Sequence, residues 1–162
     1  TYQVVINDPA FTVVQRMLTN FEAKALPLFA TPAPGKLSPY QALVLASLVE
    51  KEASTEADRA GVAGVFYNRL AQGIKLESDV TVIYLTGRAE PTASDLAIDS
   101  PYNTRRYAGI PPGPIAGPSL AAIRATLQPT KSDYLFFIGG NDGKVYYART
   151  YAEHQANIKA HL

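Results

Sequence analysis

The chain contains no cysteine. Disulfides, thiol nucleophiles and thiolate metal sites are therefore excluded. An oxidising compartment is allowed by that absence but not required by it. Histidine is almost as scarce, with only His154 and His161 near the C-terminal end. With no HExxH-type spacing, the sequence predicts no zinc or other metal centre. GxGxxG, GxxxxGK[ST] and GxSxG are all missing, so neither a nucleotide cofactor nor a serine-hydrolase elbow is expected. No apolar run approaches the roughly 18 residues that a membrane span requires. A formal net charge of +1 gives no electrostatic case for nucleic acid or for a membrane surface.

What is present is an ordinary globular balance. The 162 residues are 47% hydrophobic and 18% charged, which suits one domain with a core of its own. The chain opens on Thr1, with no signal-like start, and reads as a piece excised from a longer protein.

Helical signals dominate. Asp8-Pro9 marks a helix start, and Phe11, Val14, Leu18, Phe21, Ala25 and Leu28 then recur at helical spacing. "TPAPGKLSP" (31–39) is a Pro/Gly-rich loop. Ser38 through Gln41 form a capping box with proline at the first helical position. The helix that follows is apolar nearly all round, as buried helices are. Thr55 and Asp58 can cap the next helix, whose stripe runs through Val62, Val65, Phe66 and Leu70 to a stop at Gly73. Asp79 is expected to cap a short helix ending at Gly87, although Val80–Ile83 would also suit a strand. Residues 88–118 read as a long irregular stretch with one helical turn near Asp95. Ser119–Leu127 is a short helix. A hairpin is expected near 133–149, and Thr150 with Glu153 caps a terminal helix. The predicted class is α+β: mostly helical, with a small antiparallel sheet.

Two stretches carry candidate chemistry. In "LASLVEKEAS" (45–54), apolar residues run into Glu50, Lys51 and Glu52. At about 100° per residue, with Val44 at zero, Leu48 falls at about 40°, Glu52 at about 80°, Leu45 at about 100° and Val49 at about 140°. Glu50 falls at about 240°, beside Ala46 and Ser47. Glu52 is therefore the acid aimed at the apolar sector. Burial there would raise its pKa and keep it protonated, as a general acid requires. Most such stretches are solvated helix ends, and the pattern alone leaves both readings open. The second stretch, "SPYNTRRYAGIPPGPIAGPS" (100–119), is stiff and rich in proline, glycine and tyrosine. Sugar polymers are bound by such mixtures of apolar faces and fixed polar groups. A structural loop packed across the core, its tyrosines filling gaps, is the commoner explanation of such a stretch.

Taken together, "LASLVEKEA", "VAGVFYNRL", "LESDVTVIY", "SPYNTRRYAGIPPGPIAGPS" and "YLFFI" resemble the catalytic domain of the MltG/YceG-like endolytic murein transglycosylases. The resemblance covers roughly residues 40–160, and Thr1-Tyr2 matches the tail of a "PDTY" segment. It implies a catalytic domain spanning residues 1–162, taken from a protein anchored by an N-terminal membrane helix and carrying a LysM-like module. The work would be done at the outer face of the bacterial cytoplasmic membrane. The implied reaction cleaves the MurNAc–GlcNAc β-1,4 bond inside peptidoglycan glycan strands and forms 1,6-anhydro-MurNAc. The implied partners are those strands and the cell-wall synthesis machinery. The second acid of the family's E-K-E falls on Glu52. Candidate saccharide contacts are Tyr102, Asn103, Thr104, Tyr84, Gly113 and Ile115, with Asn68 and Asp79 in support. Val80 stands where proline is common, and Gly117 where asparagine is frequent. Two rival readings stay open. A water-using glycosidase would need a second carboxylate roughly 5–9.5 Å from Glu52, from among Glu56, Glu77 and Asp79. A glycan-binding scaffold would need no catalysis.

Overall fold

The computed structural model describes residues 2–162, so Thr1 and its half of the Thr1-Tyr2 match lie outside the described residues. The elements are α1 (Ala10–Lys24), α2 (Pro39–Glu52), α3 (Glu56–Ala71), α4 (Asp79–Thr86), α5 (Leu120–Leu127), β1 (Phe136–Gly139), β2 (Val145–Ala148) and α6 (Tyr151–His161). Short 3-10 turns occupy Leu26–Ala30, Pro34–Lys36 and Asp95–Ala97. The class is α+β and mostly helical, with β1 and β2 paired antiparallel from Phe136↔Ala148 to Gly139↔Val145.

α2 is the centre. Ser38 and Gln41 form the reciprocal capping box at its start, with Pro39 at the first helical position. From Val44 to Val49 every residue is buried, which its nearly all-apolar sequence requires. α5 packs on both α2 and α3. The main core cluster joins Leu45, Leu48, Val49 and Ala53 to Val62, Phe66, Leu76 and Ile115. α3 begins at Thr55, whose hydroxyl accepts the Asp58 N–H. It ends in a Schellman motif: Ile74 N–H reaches Arg69 O at 2.9 Å, Gly73 N–H reaches Leu70 O at 3.2 Å, and Gly73 has φ +67°. That sharp stop turns the chain back across the end of α2.

The hairpin strands are shorter than expected. Tyr134 and Leu135 lie outside β1, and their carbonyls are taken by side chains of α3. α6 covers both strands.

Two helix starts differ from expectation. Pro9 precedes α1 rather than occupying its first position, and no side chain caps that helix. The Asp8 carboxylate instead accepts the Val5 N–H and the Arg16 guanidinium. The stripe on α1 marks a true helix, yet Phe11, Val14, Leu18 and Phe21 are exposed and only Ala25 of the series is buried. At α4 the cap position belongs to Ser78, and Asp79 is the first helical residue and caps nothing. The strand alternative for 80–83 is excluded by the helix itself.

The long stretch 88–118 is structural over much of its length. Ser47 Oγ, buried in α2, accepts the Ile115 N–H at 3.0 Å. Ile115 is thereby a core residue of α2's flank. Gly64 permits another close approach, since a Cβ there would meet Thr130 O at 2.4 Å. Gly64→Ala should cost about 1–3 kcal/mol, because backbone must move to admit the methyl group. Urea denaturation should show the midpoint falling, whereas Gly117→Ala, which meets open space, should leave it nearly unchanged.

Candidate active site

The two acids of "EKE" are separated by the fold as the helical angles predict. Glu50 turns towards α5, where its Oε2 accepts the Ser119 N–H at 3.0 Å and the Ser119 hydroxyl at 2.6 Å. Arg59 Nη2 lies 3.5 Å from its other oxygen. Partial burial opposes its ionisation, but the Ser119 bonds and the charges of Arg59 and Lys51 outweigh that and lower its pKa. Glu50 is an anionic staple between helices.

Glu52, the last residue of α2, enters a cleft of about 450 Å³. Its half-buried carboxyl receives one hydrogen bond, from Ser78 Oγ to Oε1 at 2.5 Å. Burial pushes its pKa up. The Ser78 bond opposes this, the Asp79 charge reinforces it, Arg105 opposes it, and burial prevails.

Ser78 is itself clamped. Its N–H donates to Thr104 Oγ1 at 3.1 Å, and its carbonyl accepts the Thr81 hydroxyl at 2.7 Å. The Glu77 N–H donates to Thr104 O at 3.1 Å. The clamp joins the start of α4 to the "YNT" loop, and all three of Ser78, Thr81 and Thr104 are buried.

Around Glu52 the cleft wall alternates in charge. Asp79 pairs with Arg105. Glu77, which had no visible partner in the sequence, pairs with Arg69 Nη1 at 3.2 Å. Arg69 is buried and also donates to the carbonyls of Leu135, Lys75 and Leu76. It thus fixes β1 and the 75–77 segment to α3. Glu77 sits at φ +53°, a left-handed conformation unusual for a residue with a side chain. Leu76, Phe66, Phe136, Phe137, Ile138, Tyr151 and His154 supply the apolar and aromatic side of the cleft. Among the described residues, no three His, Asp or Glu side chains converge to hold a metal ion.

The expected site residues divide. Glu52 and Asp79 line the cleft. Thr104 reaches it through Ser78 and the Glu77 backbone. Asn103 is fully enclosed: its amide donates to Leu96 O and Ile98 O, and its Oδ1 accepts the Arg105 N–H. With those groups used, it ties the loop together and offers no open polar atom to a sugar. Asn68 braces the hairpin, donating to the carbonyls of Ser132 and Tyr134, both at 2.9 Å. Ile115 belongs to the core. Tyr84 and Tyr102 pair their rings at 5.3 Å. Gly113 leaves room for the Tyr102 hydroxyl, which a Cβ would meet at 2.7 Å. These three do not line the cleft around Glu52, nor does Glu56.

Sequence reasoning missed Ser78, Arg105, Arg69, His154, Phe136 and Tyr151. Ser78 and Arg105 stood inside quoted blocks, but their partners lie 26 residues away in the chain. No local spacing rule reports such a pair.

Glu50→Ala should destabilise by about 1–3 kcal/mol, since it leaves the start of α5 without its acceptor. Glu52→Gln should do the reverse at neutral pH. A raised folded-state pKa means that stability is fully present below the unfolded value and is lost as pH rises through the folded value. A glutamine escapes that loss, so thermal melts should favour Glu52→Gln at pH 8, with the difference closing towards pH 4.

The YceG-like family matches residues 1–160 of the chain. An endolytic murein transglycosylase of Streptococcus pneumoniae serotype 2 is 37% identical over 170 residues, taking in 100% of this chain and 31% of that protein. One from Bacillus subtilis strain 168 is 44% identical over 121 residues, with 74% of this chain and 34% of that protein covered. The chain therefore spans about a third of the length of these curated relatives. A crystal structure of a YceG-like protein from Listeria monocytogenes superposes with a TM-score of 0.87 at 36% identity, covering 96% of this chain and 52% of that one. The chain belongs to the YceG-like family.

Proposed function

We propose that this chain is the catalytic portion of an endolytic murein transglycosylase, and that Glu52 is its single acid and base. One observation carries the reading: a carboxyl with a raised pKa, hydrogen-bonded by Ser78 inside a cleft, sits at the end of the family's E-K-E segment. The names of its relatives support the substrate class.

The geometry suits the reaction that the family resemblance implies. Ser78 occupies Oε1, which leaves Oε2 to carry the proton. Protonated Glu52 gives that proton to the glycosidic oxygen between MurNAc and GlcNAc, and the C1–O bond breaks with the electron pair leaving on that oxygen. The carboxylate then faces the positive charge on the sugar ring. It next removes the C6 hydroxyl proton of the same MurNAc, whose oxygen bonds to C1. The product is a 1,6-anhydro-MurNAc end, and Glu52 is protonated again. No water is consumed, so no second carboxylate is required. Asp79 and Glu77, each held by an arginine, contribute fixed charge near the ring.

The family's anchoring helix would keep such a domain at the outer face of the cytoplasmic membrane, beside the glycan strands and the machinery that makes them. No helix among the described residues is itself long and apolar enough to cross a membrane. Tyr84 and Tyr102 offer a partly exposed aromatic surface for more distant parts of a strand.

A water-using glycosidase has one supporting observation, the presence of Glu77 and Asp79 on the same cleft. Both are engaged by arginines, which disfavours either as a free base. Mass spectrometry of digested glycan strands decides. Anhydro ends, each one water lighter than a reducing end, are expected, and Glu52→Gln should lower their release by about 10²–10⁴-fold with the fold intact. Hydrated ends alone would select the glycosidase. Equal release by Glu52→Gln would remove the catalytic role.

A further inference from the structure

We propose that Phe136, Tyr151 and His154 form an N-acetylhexosamine subsite beside Glu52, with the His154 Nε2–H as its fixed donor. The inference rests on the glycan-cleaving reading above and adds the sugar-recognising wall that the Pro/Gly loop was expected to supply.

Three side chains from two elements meet on this wall. His154 stacks on Phe136 of β1 with ring centroids 5.1 Å apart and planes at 24°. Tyr151 lies 6.0 Å from the same ring, and it is 61% exposed. Tyr151 and His154 are three residues apart on α6 and so share a face. The Thr150–Glu153 capping box fixes the start of that helix. Arg69 also packs on Phe136, its guanidinium carbon 5.1 Å from the ring centroid. All three residues line the cleft that contains Glu52.

The tautomer of His154 follows from its surroundings. Nδ1 is enclosed and has no hydrogen-bond partner among the described residues. Burial, and then the Arg69 charge, lower the pKa of the ring and keep it neutral. A neutral imidazole carries one N–H and one lone pair. Leaving a lone pair unmatched in an enclosed site is tolerated better than stranding an N–H there. The proton therefore resides on Nε2, which has no hydrogen-bond partner among the described residues, on a ring that lines the cleft. Aromatic faces beside one fixed donor suit a pyranose ring with an acetamide carbonyl.

The test uses the folded chain carrying Glu52→Gln, with chitohexaose as probe. Long-range ¹⁵N–¹H spectra should show His154 protonated at Nε2, and its signals should shift on titration with chitohexaose. Tyr151→Ala and His154→Leu should each weaken binding roughly tenfold, the size expected for one lost contact of this kind. His154→Gln, whose amide reaches the Nε2 position, should retain most of the affinity. In the active chain, His154→Leu should raise KM more than it lowers kcat. Protonation at Nδ1, or unchanged affinity in both Tyr151→Ala and His154→Leu, would overturn the subsite while leaving Glu52 catalysis standing. Shifts at His154 that require stem peptides on the strand would overturn it in favour of peptide recognition. If chitohexaose binds through His154 but the wild-type chain releases no fragments, the catalytic reading fails and the sugar wall stands.

Discussion

Glu52 occupies its position because α2 is buried on every side from Val44 to Val49. Leu45, Leu48 and Val49 are wholly inside the core, so α2 cannot roll, and the direction of its last side chain is set by core packing. This constraint turns an ordinary sequence of alternating charges into two different groups. The acid two residues earlier projects towards α5 and is saturated with donors. Glu52 projects towards the cleft and receives one donor. The difference in pKa direction between them is a consequence of helical geometry acting on a fixed helix.

The remaining elements serve that one carboxyl. The Schellman turn after α3 redirects the chain so that Ser78 meets Glu52. The "YNT" loop then holds Ser78 through Thr104, and Asn103 holds the loop to its own backbone. The stiffness of the Pro/Gly stretch therefore acts on Glu52 indirectly, through two buried hydroxyls. Arg69 performs a similar service on the other side, where it binds the carbonyls of β1 and of the 75–77 segment together. The left-handed backbone at Glu77 lies within this cross-braced segment. Strain of that kind persists where surrounding contacts determine the conformation.

Much of this was legible in the sequence, and the reason differs by residue. Capping boxes, the stop signals at Gly73 and Gly87, and the hairpin are local codes, and the structure has them at or near the expected places. The choice of Glu52 over Glu50 was legible because helical periodicity extends over a single element. That Asn103 faces inward was not legible, because composition cannot say whether an amide in a polar loop faces out or in. Ser78 and Arg105 were not singled out because their importance lies in contacts between distant segments. The stripe on α1 shows the limit of periodicity from another side: it correctly marks a helix, yet four of its apolar side chains remain exposed. His154 and Phe136 were passed over because their pairing joins β1 to α6.

Central to the candidate site is that burial raises the Glu52 pKa against the pull of Ser78. The direct measurement is a ¹³C NMR titration of the Glu52 carboxyl in the wild-type chain and in Ser78→Ala. The wild-type midpoint should lie above the ordinary glutamate value of about 4.3, and that of Ser78→Ala higher still, because the hydrogen bond that favours the charged form is gone. A wild-type midpoint at or below the ordinary value, or a downward shift in Ser78→Ala, would contradict a pKa raised by burial against that bond.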